Sequence, residues 1–243
     1  MTNKKYKLLD NDTIDFLGMK LHRIEALKDF GDVRKGYKGG YVQSEINLSH
    51  SGNSWVSGNA GIYGYAMVLD DAEVYGNALV YGDAKVFGNA KVFDDARVYG
   101  DTRVYGNAKV FENAQVYGDA WICSNARVYG DAKVYGDALV CGDAGVCGDA
   151  CVSGDARLSG NSLVRGDAHI DNVKALITIS PIGSENGILT AYKNNKGGIS
   201  VNRGCFSGTL EEFKQSVKKT HGKNKHAKTY KLAIELIKSR LEA

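Results

Sequence analysis

From Val56 onward an aliphatic residue stands at every sixth position, twenty positions in succession, from Val56 and Ile62 through Val104 and Val110 to Val164 and Ile170. No insertion interrupts the series. The unit reads V-[YF]-G-[DN]-A-x, and each position has a physical task. The β-branched residue suits an extended backbone with one buried face. Four positions later stands a small residue, nearly always Ala (Ala78, Ala84, Ala90), which also points inward, where a corner leaves little room. Between them lie Gly and Asp or Asn, the pair that tolerates a tight turn and a positive φ. A helix is excluded, because six is no multiple of 3.6 and Gly recurs throughout.

A strand and a turn every six residues bend the chain through one edge of a triangle, and three edges close one coil. Twenty repeats give about six to seven coils, and at ~4.8 Å between stacked strands the prism stands roughly 30 Å tall. The expected fold class is mainly β. It comprises a parallel β-helix over residues 50–172, an N-terminal β cap over 1–49 and a small α+β domain over 173–243.

A β-helix has open ends that must be covered. The N-terminal segment carries β-like stretches at Tyr6–Leu9 and Met19–Leu27 and a turn at Gly39 and Gly40. The C-terminal segment reads as short strands at Ala175–Ser180, Ile188–Tyr192 and Ile199–Asn202, with a turn at Asn194–Gly198. Thr209 then reads as a helix N-cap, with Glu212 completing a capping box. Leu210, Phe213 and Val217 share one face of that helix, and Gly222 ends it. A second helix follows Asn224, with Tyr230, Ile234, Ile237 and Leu241 on one stripe.

The net charge of +3 is unevenly spread. Residues 50–172 carry 9 basic and 16 acidic side chains, whereas residues 173–243 carry 13 and 5. An acidic middle and a basic end suggest different partners for each. No apolar run approaches the ~20 residues that span a bilayer, and no secretory leader is visible, so a cytoplasmic location is expected. Five cysteines without a leader argue for reduced thiols. Cys147 and Cys151 are spaced C-x3-C, but no second ligand pair follows, so no metal and no cofactor is expected.

The repeat resembles that of the hexapeptide-repeat proteins, whose fold is a left-handed parallel β-helix. The left hand is implied by that resemblance alone. Arg23–Ser49, the repeat and the segment GCFSGTLEEF (204–213) together resemble a group of phage- and prophage-borne hexapeptide proteins often labelled transferases on fold grounds. The resemblance implies trimers. It also implies, for acyltransferase members, a His acting as general base at a subunit cleft shaped by loops. No loop interrupts the coils here, and the histidines in or beside the repeat are His50 and His169, at its two ends.

Other constellations have simpler explanations. Tyr63, Tyr81, Tyr99, Tyr117 and Tyr135 fall one coil apart, as do Tyr75, Phe93, Phe111 and Tyr129. Such stacks stabilise in-register strands and also offer a subunit contact. Asp83, Asp101, Asp119, Asp137 and Asp155 form a corner column that turn chemistry accounts for. Lys91, Lys109 and Arg127 read as solvated charges on an acidic prism. Cys205, with His221 and His226 downstream, lacks an orienting third group for nucleophilic catalysis.

The chemical candidate is the stretch Arg203–Thr209, read as a Gly-containing loop entering a helix N-terminus. Such a loop presents free amides to an anion. Arg203, Ser207 and Thr209 are donors there, and His221, Lys223 and His226, with Lys225 and Lys228, supply positive charge at the turn between the helices. The sequence thus predicts a noncatalytic homotrimer that binds an anionic, nucleotide-type small molecule. One concrete form is a phage-encoded protein sequestering a host signal. Neither a membrane nor nucleic acid is an expected partner. A CoA-dependent acyltransferase and a ligand-free assembly protein are the alternatives.

Overall fold

In the computed structural model, which describes residues 4–242, the strand of each repeat stacks on the strand eighteen residues later. Twenty two-residue strands run from β4 (Trp55–Val56) to β23 (His169–Ile170). They form the three faces of a prism of about seven coils, with all coil-to-coil pairing parallel and in register, as in Lys91 on Lys109 and Val92 on Val110. Backbone amides of one coil donate to carbonyls of the next, for example Trp55 to Ala72 at 3.0 Å and Lys91 to Ala108 at 2.9 Å. The inward Val and Ala columns are fully buried, as predicted. Thr102 replaces one of these alanines, and its buried hydroxyl donates to the Tyr99 carbonyl at 2.6 Å.

The turns explain the glycines. Gly118 has φ +72, and a Cβ there would lie 2.8 Å from the Gly136 nitrogen in the coil above. Asp70, Asp94 and Glu112 occupy equivalent turns at φ near +57. Each offsets that strain by accepting the next coil's turn amide: Gly88 on Asp70, Glu112 on Asp94 and Gly130 on Glu112. Side-chain amides also stack into corner ladders, such as Asn107 to Asn125 to Asp143 at 3.0 and 2.9 Å. On the outside, Tyr63 to Tyr135 stack face to face at 4.8–4.9 Å. Tyr75, Phe93, Phe111 and Tyr129 do the same.

The N-terminal segment extends one face of the prism. Strands β1 (Tyr6–Phe16) and β2 (Met19–Ala26) form an antiparallel hairpin, β2 pairs with β3 (Lys38–Val42), and β3 joins the coil strands in parallel. The far end of the hairpin packs Phe16 and Leu21 over Tyr63, so this chain covers the start of its own tyrosine column. Lys5 plugs the open end. It is 1% exposed, and its ammonium donates to the Ser54 carbonyl at 2.7 Å and hydroxyl at 3.1 Å. Burial lowers its pKa to about 8.

At the other end lies a four-stranded antiparallel sheet of β24 (Leu176–Ile182), β25 (Gly187–Lys193), β26 (Ile199–Arg203) and β27 (Phe206–Thr209), in that order. Helices α1 (Leu210–His221) and α2 (Lys225–Leu241) pack on one side, with Leu189, Val201, Phe213 and Ile237 in the core between. The other side closes the prism. Thr190, Tyr192 and Asn202 meet the last coils there: the Asn202 amide donates to Leu163 O at 2.9 Å, and the Arg165 Nε donates to the Asn202 side-chain oxygen at 3.0 Å. The sheet thus needs polar residues on one face and apolar ones on the other, which its alternating strands supply.

Five reduced thiols were expected, but Cys123 and Cys141 form a disulfide. Their separation is 18 residues, so register stacks them with Cα atoms 4.7 Å apart, within the reach of a disulfide. Cys147, Cys151 and Cys205 are free. Among the described residues no helix is long and apolar enough to cross a membrane.

Candidate functional site

The six candidate residues fall into two places. Thr209 caps α1 as predicted, but the stretch before it is strand β27 rather than a loop. β27 pairs with β26 through Asn202–Ser207 and Arg203–Phe206, so its amides are not presented as a loop's would be. The helix N-terminus also holds a carboxylate of its own. Glu212 accepts from the Thr209 amide at 2.8 Å and the Thr209 hydroxyl at 2.9 Å, and the Thr209 hydroxyl accepts from the Glu212 amide at 3.2 Å. The Thr209 amide holds the Glu212 carboxyl below its usual pKa, so an anion already sits where a phosphate was expected. Ser207 lies opposite Asn202 and so shares the prism-facing side of the sheet, away from the helices.

Arg203 and the turn between the helices come together at the other end. α1 has 12 residues, so it carries the chain about 18 Å back from Thr209 to His221. There the β24–β25 turn, the end of β26 and the α1–α2 turn meet. Arg203 pairs with Leu189 on one side and Phe206 on the other, which aims it at the helix side. Its Nη2 donates to the Ile182 carbonyl at 2.9 Å. Its Nε is buried without a hydrogen-bond partner among the described residues.

Two glycines make room for the guanidinium. A Cβ on Gly187 would lie 2.6 Å from Arg203 Nη1, and one on Gly183 would lie 2.2 Å from the Tyr230 hydroxyl. The buried Tyr230 ring stacks on His221 at 5.3 Å, and His221 stands 5.8 Å from His226. Arg203, Tyr230, His221 and His226 therefore form one continuous cluster. Lys223, Lys225 and Lys228 are exposed around it, and among the described residues none of these cations pairs with a carboxylate. The β24–β25 turn also carries the exposed Glu185.

Sequence reasoning missed Tyr230, Gly183 and Gly187 as parts of this site. The run Pro181–Gly187, with glycines at both ends of a tight turn, is the signal that could have pointed to them.

The two histidines at the ends of the repeat serve differently. His50 stacks on Tyr6 at 4.3 Å and its Nδ1 accepts from the Lys5 amide at 3.2 Å, while burial lowers its pKa. It is thus part of the N-terminal plug. His169 is exposed on the last coil, stacked in register above Cys151. Among the described residues no group of three or more His, Cys, Asp and Glu side chains is placed to hold a metal ion. No known protein-family model matches this sequence. No curated protein matches it either.

Proposed function

We propose that this chain is a noncatalytic binding protein, assembled as a homotrimer, whose C-terminal unit takes a nucleotide-type anion at the Arg203–Tyr230–His226 end. The observation that carries this reading is the Arg203 guanidinium. It is held in a glycine-lined turn, with its Nε and Nη1 unpartnered among the described residues and beside histidines and lysines that have no carboxylate partner there. The Nε itself is enclosed, so a phosphate oxygen would meet the guanidinium at Nη1, through a charge-assisted hydrogen bond. His221, half-buried and backed by the Tyr230 ring, offers ring surface for a base. A phage protein that sequesters a host signal nucleotide is the biological form this chemistry would take.

Calorimetry with a panel of mono- and cyclic nucleotides tests the site. Wild type is expected to bind, with affinity that falls as salt rises. Removing the Arg203 guanidinium could disturb the turn, so the decisive variant is Lys223→Ala with His226→Ala, both outside the core. No binding by wild type, or equal binding by that variant, overturns the site. Native mass spectrometry checks the subunit number, and a monomer at micromolar concentration would remove the trimer.

A further inference from the structure

In a scaffold that repeats itself, a break in the repeat marks a residue with another task. Three breaks meet at the N-terminal end of one face. The first is Trp55. It begins the outward column that continues as Glu73, Lys91, Lys109 and Arg127. Its side chain is 5% exposed, and its Nε1 is buried without a partner among the described residues.

The second is Asn89. The corner ladder bonds Asn53 to Asp71 at 2.8 Å and Asn107 to Asn125 at 3.0 Å, but it is interrupted between them. Among the described residues the Asn89 side chain has no hydrogen-bond partner.

The third is the segment 29–37, which leaves the N-terminal sheet and projects over these coils. It is firmly built: Phe30 and Val33 exchange backbone hydrogen bonds at 3.0 and 2.8 Å, and Asp29 accepts from the Lys35 amide at 2.8 Å. Phe30 packs edge-on against Trp55 at 5.3 Å.

Between overhang and coils lies a groove of about 430 Å³, lined by Trp55, Asn89, Asp32 and Tyr37 among others. Its charge disfavours an anion, because among the described residues Asp32, Asp71 and Glu73 face one cation, Lys91. The place of a small cation is already taken, since Lys91 donates to Glu73 at 2.9 Å. What remains is a set of neutral and acidic hydrogen-bonding groups beside the half-exposed Tyr37 ring, with the buried Trp55 beneath. That combination suits a ring with an apolar C–H face and a rim of hydroxyls. We propose that this groove binds a neutral sugar ring. Tyr37 packs on its face, Trp55 lies at the floor of the groove, and Asn89, Asp32 and Asp71 bond its hydroxyls. This site is independent of the anion site at the opposite end.

The chain has two tryptophans, so Trp121→Phe leaves Trp55 as the sole indole reporter. Its emission is expected to change saturably, with millimolar half-saturation, on titration with at least one of glucose, galactose, mannose and N-acetylglucosamine. Adding Asn89→Ala, which removes one exposed amide, is expected to weaken that response about tenfold. Inorganic phosphate is expected to leave the emission unchanged. No saturable change with any of the four sugars overturns the proposal. So does an undiminished response in the Asn89→Ala protein, or a saturable response to phosphate.

Discussion

The prism and the C-terminal unit solve the same problem of burying apolar surface by opposite means. In the prism a residue's neighbours are its own equivalents one coil away. Valine stacks on valine, tyrosine on tyrosine, and asparagine bonds asparagine or aspartate. One choice of residue is thus made once and repeated. In the C-terminal unit each neighbour comes from a different element. Tyr230 of α2 sits between His221 of α1 and the β24–β25 turn, and Asn202 of β26 bonds the Leu163 carbonyl in the prism. Repetition satisfies polar groups efficiently and leaves few available for ligands. The unsatisfied donors of Trp55 and Arg203 fall where the repeat begins and beyond where it ends.

The largest effect is expected at mid-prism. Val104→Asp places a carboxylate in a fully buried column with no cation to meet it. Such a change costs several kcal/mol, about 3–5 or more, and every coil depends on its neighbours, so no native fold is expected. Soluble protein with native-like circular dichroism would refute the stacked core.

A smaller effect is expected where the repeat starts. Burial holds the Lys5 pKa at about 8, against 10.5 for an ordinary lysine. Between those values the unfolded chain binds the extra proton, so stability rises as pH climbs from 8 to 10.5. The gain is at most about 3 kcal/mol. Lys5→Met has no such group, so its stability relative to wild type should fall over that window in denaturant titrations. The buried tyrosines Tyr6 and Tyr63, whose pKa values burial raises, weaken both proteins equally above about pH 10 and cancel in the difference.

In the C-terminal unit Thr209→Ala removes the cap of α1, at a cost of about 1 kcal/mol. Nucleotide affinity should be unchanged, because Glu212 already occupies that helix end. A parallel loss of binding would return the site to the helix N-terminus. The smallest effect belongs to the exposed corner ladder. Asn125→Ala deletes two side-chain bonds, yet water replaces both, and about 0.5 kcal/mol in chemical denaturation is the expected loss.

The prism could be read from the sequence because a six-residue period allows one geometry, and Val, Ala and Gly each have one place in it. The helix ends were equally legible, since Thr209, Gly222 and Asn224 act on residues three or four away. The pairing of β27 was not. Phe206–Thr209 is short and glycine-containing, and only its partner β26 makes it a strand. Nor did the sequence show which side of the sheet each residue takes. That placement separates Ser207 from Arg203 and joins Arg203 to Tyr230. The Cys123–Cys141 link, by contrast, was legible as a separation of one coil.

In-register stacking has one more consequence. Because every coil presents the same upper and lower edge, whole coils can be added or removed in steps of eighteen residues, each changing the height by ~4.8 Å. The two ends of the molecule, with the proposed sugar groove at one and the proposed anion site at the other, are therefore held apart by a rigid gauge whose length is written as an integer in the sequence. If both sites are engaged together, the distance between the two things they hold is a heritable quantity. A single in-frame deletion or duplication resets it without altering either site.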